Sequence, residues 1–192
     1  MNFTHLHVHT EYSLLDGSNK IKEYVARVKK LGMDSAAITD HGVMYGVIDF
    51  YKEAKAQGIK PILGCEVYVA PGSRFRSILI PMHLWSAMHK EAGNNEDRYY
   101  HLVLLAENNE GYQNLMKIVS IGFIDGFYYK PRVDIETLET YHEGIIALSA
   151  CLAGEIPRYI MRGMYEEACK SALRYQNIFG KNNFFLELQD HG

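Results

Sequence analysis

Three histidines alternate with apolar residues at the start of the chain, in the segment T-H-L-H-V-H-T. Side chains two residues apart on an extended strand project to the same face, so His5, His7 and His9 share one face. Each imidazole carries polar nitrogens that need partners when buried, which makes three of them a poor filling for a hydrophobic core. We therefore predict a strand from Phe3 to Val8 with a metal-binding face. Structural histidines with ordinary hydrogen-bond partners are the alternative.

Composition restricts the class of protein. The 192 residues, 47% of them hydrophobic, suffice for one globular domain with a substantial core. The net charge of −3 provides no overall attraction to nucleic acid, so contact with a polyanion requires a local patch or bound metal. The cysteines Cys65, Cys151 and Cys169 are odd in number and widely spaced, which argues against a disulfide framework. No apolar run approaches the roughly 20 residues that span a bilayer. We expect a soluble protein of the reducing cytoplasm with no membrane partner.

Strand-like and helix-like segments alternate along the chain. Strands are predicted over about residues 35–39, 59–69, 101–106, 145–148 and 184–188, and helices over about 20–31, 43–57, 111–121 and 161–179. This alternation predicts parallel pairing of the strands. The segment from Pro71 to Asp97 lacks periodicity and is predicted to be a long loop or lid. The pattern favours a barrel-like α/β fold over an open doubly wound sheet, although alternation fits both.

Polar residues follow two of the predicted strands, where parallel-sheet enzymes commonly place working groups. The segment T-D-H-G, which contains Asp40 and His41, is one, and an ordinary turn with a helix cap fits it equally well. The other ends in Cys65 and Glu66, whose side chains point to opposite faces of a strand. Because a carboxylate can bridge two cations, we assign Glu66 as the ligand and expect Cys65 to pack as a small apolar residue.

These motifs, taken with later ones, resemble the PHP (polymerase and histidinol phosphatase) domain of bacterial DNA polymerase III alpha subunits. The resemblance covers essentially the whole chain, residues 1–192, as the N-terminal part of a larger polymerase subunit. It is carried by H-L-H-V-H-T-E-Y-S-L-L-D-G, I-T-D-H-G, I-K-P-I-L-G-C-E-V-Y, G-Y-Q-N-L, F-Y-Y-K-P-R-V-D, I-A-L-S-A-C-L-A-G-E-I-P and E-L-Q-D-H-G. The first two occur in PHP proteins generally, whereas the later ones resemble the polymerase branch.

The resemblance implies a fold and a set of metal ligands. The fold would be a distorted (β/α)7 TIM-like barrel with up to three divalent cations at the carboxyl ends of its strands. One cation would be bound by His7, His9 and Glu66, a second by Glu66, His101 and Cys151, and a third by Asp16 and His41. In this scheme His7, His9 and Glu66 are also the catalytic centre, while His5 and Asp40 support the ligands from behind.

The residues support these assignments to different degrees. His101 opens its predicted strand, so its role depends on the resemblance alone. Asp16 lies in L-L-D-G, which also suits an ordinary turn, and Cys151 could be a plain buried cysteine. A thiolate among imidazoles favours zinc over magnesium, with manganese, iron and magnesium as alternatives. Lys130 and Arg132 in K-P-R-V-D are candidates for contact with phosphate.

A complete PHP centre of this type ends with an Asp-x-His pair whose two side chains share one strand face, and the chain contains no such pair near its end. Asp190 and His191 are adjacent in sequence, so on a strand they would point to opposite faces. We expect a chain that stops before the last barrel strand, or a variant whose metal site is open on that side.

Three functions are compatible with these residues. The first is a region of a DNA-directed DNA polymerase that itself hydrolyses phosphodiesters as a 3′ to 5′ exonuclease at a primer terminus. Its partners would be DNA and other replicase subunits in the bacterial cytoplasm. The second is a free-standing phosphatase of the histidinol-phosphatase type. The third is a non-catalytic scaffold that is stabilised by its metal ions.

Overall fold

The computed structural model describes residues 3–14, 16–75 and 99–190. The helices of this part are α1 (Ile21–Lys30), α2 (Val47–Gln57), α3 (Asn109–Ile124), α4 (Ile135–Thr140), α5 (Glu155–Met161) and α6 (Tyr165–Phe179). Its strands are β1 (Ser35–Ile38), β2 (Lys60–Val69), β3 (Tyr100–Ala106), β4 (Phe127–Tyr128), β5 (Lys130–Val133), β6 (Ile145–Leu148) and β7 (Phe184–Phe185). The fold is mixed α/β.

The strands form one mixed sheet in the order β4-β5-β2-β3-β6-β7, with β1 also paired to β2. Parallel pairing joins β1 to β2, β2 to β5 and β6 to β7. Strand β3 runs antiparallel to both of its neighbours, β2 and β6. The prediction of parallel pairing is therefore wrong for β3, because strand and helix alternation does not fix the direction of each strand. Closure of the sheet into a seven-stranded barrel stays a prediction.

The two faces of the central strands have different roles. Along β2, Cys65, Val67 and Val69 point into the largest hydrophobic cluster, which also contains Leu115 and Ile118 of α3. The prediction that Cys65 packs as an apolar residue is thus confirmed. Glu66 points to the other face, as the two-residue period of a strand requires. That face also carries a small cluster formed by Val103, Leu105, Leu148 and Ala150, with Leu6 packed against it.

Helices α1 and α2 cover the outer end of the sheet. Val25 and Val28 of α1 pack with Phe50 and Ala54 of α2 in a separate cluster that includes Ile38 of β1. Burial of these apolar side chains fixes β1, and with it the residues that follow β1 toward the site. Within the described residues, none of the helices is both long enough and apolar enough to cross a membrane.

The first predicted strand, Phe3 to Val8, is wrong as a sheet element. The segment is extended beside the end of β1, where Thr39 N–H donates to the Val8 carbonyl at 2.8 Å. In the other direction, Val8 N–H donates to the Thr39 hydroxyl at 2.8 Å rather than to a backbone carbonyl. A side-chain oxygen thus takes the place of a ladder acceptor, and regular pairing does not continue.

Other predicted boundaries also differ. The sequence reading missed the β4–β5 hairpin and α4, and it treated residues 161–179 as helical although α5 ends at Met161 and α6 begins at Tyr165. Gly163 in the break has a φ of 72°, a left-handed conformation that interrupts a right-handed helix. Most of the predicted loop from Pro71 to Asp97 lies outside the described residues.

Asp134 links Arg74, in the segment after β2, to the start of helix α4. Its buried carboxylate accepts hydrogen bonds from the Arg74 guanidinium at 2.8 Å and from the Thr137 backbone N–H at 3.1 Å, which caps the helix. Burial raises the pKa of Asp134, but the hydrogen bonds from Arg74 and Thr137 outweigh burial and hold the pKa below its usual range. The charged form is therefore the one that stabilises the fold.

Replacing Asp134 with alanine is expected to lower the free energy of unfolding by about 2 kcal/mol near neutral pH, since a helix cap and a buried ion pair are both lost. A depressed folded-state pKa contributes stability that is complete above the unfolded pKa of about 4 and is lost as pH falls through the folded value. Urea unfolding at several pH values should show the variant and the parent converging in acid.

The matched control is Glu136→Ala, because Glu136 is 76% exposed and touches the same Arg74 at 3.3 Å. An exposed pair contributes little, so this change should cost less than about 0.5 kcal/mol. A loss for Asp134→Ala that is equal at every pH would contradict the linkage argument.

Candidate metal centre

Four histidines surround one buried carboxylate. The side chain of Glu66 is fully buried, and its Oε2 lies 3.3 Å from His7 Nε2, 3.1 Å from His9 Nε2 and 2.8 Å from His41 Nδ1. Its other oxygen, Oε1, contacts His101 Nδ1. A buried carboxylate needs positive charge or several hydrogen bonds beside it, and here imidazole nitrogens approach both oxygens. These five side chains, the Glu66 cluster, form the core of the site.

Backbone pairing along β2 brings two of the histidines to Glu66. Residues 40–42 continue the line of β1: Glu66 N–H donates to the Asp40 carbonyl at 3.1 Å, and Gly42 N–H donates to the Glu66 carbonyl at 2.8 Å. His41 is thereby held beside Glu66. On the other side, the antiparallel register pairs His101 with Tyr68, so the start of β3 meets the end of β2. The position of His101 at the opening of its strand is thus accounted for, because an antiparallel strand begins at the edge where its neighbour ends.

His7 and His9 enter the cluster from the extended N-terminal segment. Their rings meet edge to face at 5.0 Å, and the His9 ring stacks on that of His41 at 3.9 Å. The sequence predicted one shared face for His5, His7 and His9, and the structure brings His7 and His9 together beside Glu66. His5 does not join them: it is exposed, and its ring contact in the described part of the chain is with Phe3, at 4.8 Å. The structure therefore gives no support to the predicted role of His5 behind the ligands.

Asp40 organises the turn that carries Asp16. Its buried carboxylate accepts hydrogen bonds from Thr10 N–H at 2.6 Å, from the Thr10 hydroxyl at 2.8 Å and from the Ser13 hydroxyl at 2.6 Å. Gly17 is required for this turn to close, since a Cβ there would lie 1.9 Å from the Thr10 carbonyl oxygen. The turn holds the half-exposed Asp16 with its Oδ2 2.7 Å from His41 Nε2. Asp40 thus holds the turn that carries Asp16, and its role in supporting metal ligands stays a prediction.

The structure groups the predicted ligands somewhat differently from the resemblance. His7, His9 and Glu66 offer ligand atoms close enough to hold one ion, as expected. The second such group contains His41, Glu66 and His101, so His41 takes part where Cys151 was expected. Cys151 lies at the margin, with its Sγ 3.7 Å from His101 Nδ1. Among these ligands, Asp16 contacts only His41, at the outer side of the cluster.

Electrostatic contacts among the side chains of the site favour the charged forms of Glu66, His7 and His101. Burial raises the pKa of Glu66, but close contacts with the imidazoles of His101, His41, His7 and His9 outweigh burial and hold the pKa far below its usual range. Burial lowers the pKa of His7, yet hydrogen bonds to Glu187 and Glu66 raise it to about 10. For His101, burial likewise lowers the pKa, and contacts with Cys151 and Glu66 raise it to about 9. Protons and a divalent cation would therefore compete for these imidazole nitrogens.

The residues present fit divalent cations. Three buried atoms of the cluster, His9 Nδ1, His41 Nδ1 and Glu66 Oε1, have no properly oriented hydrogen-bond partner among the described residues. Close approach without hydrogen-bond geometry is costly for polar atoms in a buried site, whereas imidazole nitrogens and carboxylate oxygens that converge on one point are the ordinary donors to zinc and related ions. The histidine and glutamate groups therefore indicate a site for divalent metal.

The two predicted phosphate contacts differ in their surroundings. Lys130 is half-buried, with its ammonium 5.5 Å from the centre of the Tyr68 ring. That ring lies 5.3 Å from His101, so Lys130 stands near the cluster. Arg132 is buried and donates to the carbonyls of Gly126 and Arg74, at 3.3 and 3.2 Å. Its guanidinium is engaged in holding the hairpin, which leaves Lys130 as the better candidate.

Sequence reasoning missed Glu187, whose Oε1 lies 2.8 Å from His7 Nδ1. Gln189 also approaches, with its amide nitrogen 2.6 Å from Glu187 Oε1. The alternation of polar residues with apolar ones in F-L-E-L-Q was the available signal, because it places Glu187 and Gln189 on one face. Asp190 and His191 are the adjacent acid and histidine that the sequence analysis compared with the Asp-x-His pair, and His191 lies outside the described residues.

Three curated relatives extend the resemblance along the whole chain. DNA polymerase III subunit alpha of Treponema pallidum is 47% identical over 192 residues, which is 100% of this chain and 15% of that protein. The subunits of Borreliella burgdorferi and Helicobacter pylori are 47% and 46% identical, each over 99% of this chain and 15% of their own length. The chain thus spans about 15% of the length of these relatives. A family model described as the PHP domain matches residues 5–191, and the chain belongs to this family.

Proposed function

We propose that this chain is the PHP region of a replicative DNA polymerase alpha subunit and that it hydrolyses phosphodiesters with divalent metal, as a 3′ to 5′ exonuclease at a primer terminus. The single observation that supports the hydrolytic part is the Glu66 cluster, in which one fully buried carboxylate is shared by two groups of ligands. The polymerase context is supported by DNA polymerase III alpha subunits that are 42 to 47% identical to this chain over nearly its whole length.

Each ligand has a distinct task in this proposal. Glu66 belongs to both groups, so it fixes the separation of the two positions. His7 and His9 complete one group, and His41 and His101 complete the other. Asp16 and Cys151 lie at opposite margins, where they can add a ligand. Divalent cations bound here supply Lewis-acid activation of water and neutralise charge on the phosphoryl group. Zinc is the first candidate because the Cys151 sulfur stands beside the imidazoles, with manganese, iron and magnesium as alternatives.

The relatives support a proposal about the longer protein to which this chain would belong. A chain that continues as they do would contain a nucleotidyl transfer centre elsewhere, and would meet DNA and other replicase subunits in the bacterial cytoplasm. In that setting residues 1–192 form the PHP domain, at the N-terminal end of the larger subunit. Because the chain carries a net charge of −3, bound cations and Lys130 would provide the attraction for a primer terminus.

Two other functions use the same ligands. A phosphatase of the histidinol-phosphatase type would act on a small phosphomonoester, and a scaffold would bind metal without turnover. Substrate choice separates the first from an exonuclease. Loss of stability on metal removal, without turnover under any metal, identifies the second.

Metal content is the first test. Protein purified without added metal or chelator should contain at least about two divalent ions per chain by mass spectrometry, since two groups of ligands converge on Glu66. Glu66→Gln keeps the side-chain volume but removes the charge shared by both groups, and it should weaken binding by more than about 100-fold.

The matched control is Glu143→Gln, at an exposed position outside the cluster. It should leave metal content unchanged. Metal retained in Glu66→Gln at the level of the parent would overturn the assignment of Glu66.

Turnover is the second test. The metal-loaded parent should shorten the 3′ end of a primed DNA and lose this activity with a chelator, and His9→Ala should lower kcat by at least about 100-fold. A chromogenic phosphomonoester and a chromogenic phosphodiester, assayed side by side, separate the alternatives. Preference for the monoester supports the phosphatase, whereas failure on both substrates with metal bound supports the scaffold.

Lys130 supplies the third test. Lys130→Ala should raise the KM for DNA by about 3-fold to 10-fold, leave metal content unchanged and reduce the salt dependence of binding, because one phosphate contact is lost. Lys117→Ala is the matched control. The Lys117 ammonium also lies over a tyrosine ring, at 5.3 Å, but Lys117 belongs to helix α3 and is not part of the Glu66 cluster. Equal effects of the two changes would argue against a specific role of Lys130.

A further inference from the structure

We propose that Glu187 is a positioning residue for the metal site: it holds the proton of His7 on Nδ1 and thereby presents Nε2 to the Glu66 cluster. The effect of Glu187 on metal binding rests on the proposed function, whereas its contact with His7 does not. Glu187 opens the segment E-L-Q-D-H-G, to which the sequence analysis assigned no ligand, and it belongs to neither group of candidate ligands.

The two nitrogens of His7 face two different carboxylates. Nδ1 lies 2.8 Å from Glu187 Oε1, and Nε2 lies 3.3 Å from Glu66 Oε2. An ionised carboxylate only accepts hydrogen bonds, so the shorter contact requires a proton on Nδ1. With Nδ1 protonated, the lone pair available to a cation is on Nε2, which points into the cluster. An imidazole that donates to a carboxylate is also a stronger base toward metal.

The backbone fixes Glu187 in this place. Ser149 N–H donates to the Phe185 carbonyl at 3.0 Å, which extends the pairing of β6 with β7. Two residues further, Glu187 N–H donates to the Ser149 hydroxyl at 2.9 Å. The amide of Gln189 donates to the same oxygen, Glu187 Oε1, at 2.6 Å and lies 3.2 Å from His7 Nδ1, so it braces the contact between Glu187 and His7. Main chain and side chain are both held, as positioning requires.

The charge of Glu187 is left incompletely compensated. Its side chain is 11% exposed, and Oε2 is buried without a hydrogen-bond partner among the described residues. With Glu66 beyond it, His7 lies between two carboxylates that have little solvent around them. Such an arrangement is unfavourable unless positive charge stands close by, which a second proton on His7 or a divalent cation on Nε2 would supply.

The test compares Glu187→Ala, Glu187→Gln and the exposed control Glu143→Gln by titration with Co²⁺ and by ¹⁵N-resolved NMR of the histidine rings. The alanine change should weaken Co²⁺ binding at least about 10-fold and abolish the exchange-protected Nδ1–H signal of His7. Glutamine keeps an acceptor oxygen, so it should retain that signal and lose less affinity. The control should match the parent in both measurements.

The outcomes separate the two proposals. A Nδ1–H signal of His7 that stays protected in Glu187→Ala, or Co²⁺ affinity equal to that of the parent, would overturn the role of Glu187. A parent that binds no Co²⁺ would overturn the proposed metal function, while the Nδ1–H signal of the metal-free protein would still decide whether Glu187 orients His7. If the alanine variant does not fold, glutamine and Gln189→Ala provide the comparison, because Gln189→Ala should weaken the protection of the same proton.

Discussion

A buried carboxylate is the constraint on which the rest of this site depends. Glu66 has no exposed surface, and a lone charge in such a place is strongly unfavourable. The chain meets this constraint by bringing imidazoles from separate segments to one point, from the N-terminal stretch, the end of β1 and the start of β3. Each segment is fixed by its own backbone contacts, so the site is assembled by the sheet rather than by a single loop. The convergence of these imidazoles on Glu66 therefore indicates a site for divalent metal.

The direction of β3 decides which residues reach the cluster. In a parallel arrangement the residue that opens a strand would lie at the opposite edge of the sheet, far from Glu66. The antiparallel register with β2 instead sets His101 opposite Tyr68, two residues beyond Glu66. Cys151 follows β6, whose antiparallel pairing with β3 brings its end back to the same edge. A mixed sheet thus gathers ligands from strand beginnings and strand ends alike.

Much of this could be predicted from sequence, and the failures have physical causes. The alternation of His7 and His9 with apolar residues predicted a shared face, and the alternation of Cys65 with Glu66 predicted opposite faces; both follow from the local geometry of extended backbone. The direction of β3 was not predictable in this way, because it depends on long-range pairing. Glu187 was missed for a related reason: its role depends on a contact with His7, which lies 180 residues away in sequence. His5 showed the same alternation as its neighbours, yet it is exposed and lies outside the cluster; periodicity could not reveal this because the segment does not form a regular strand of the sheet.

The sharing of Glu66 between two groups of ligands also bears on how such a site can change over evolutionary time. A substitution at this position disturbs both groups at once, so a lineage cannot lose one group and keep the other by changing Glu66. Drift has to begin at the margins, at Asp16 or Cys151, where each side chain meets a single histidine of the cluster. Descendants that have lost the chemistry are therefore expected either to keep the central histidines with Glu66 as a block or to have replaced them together.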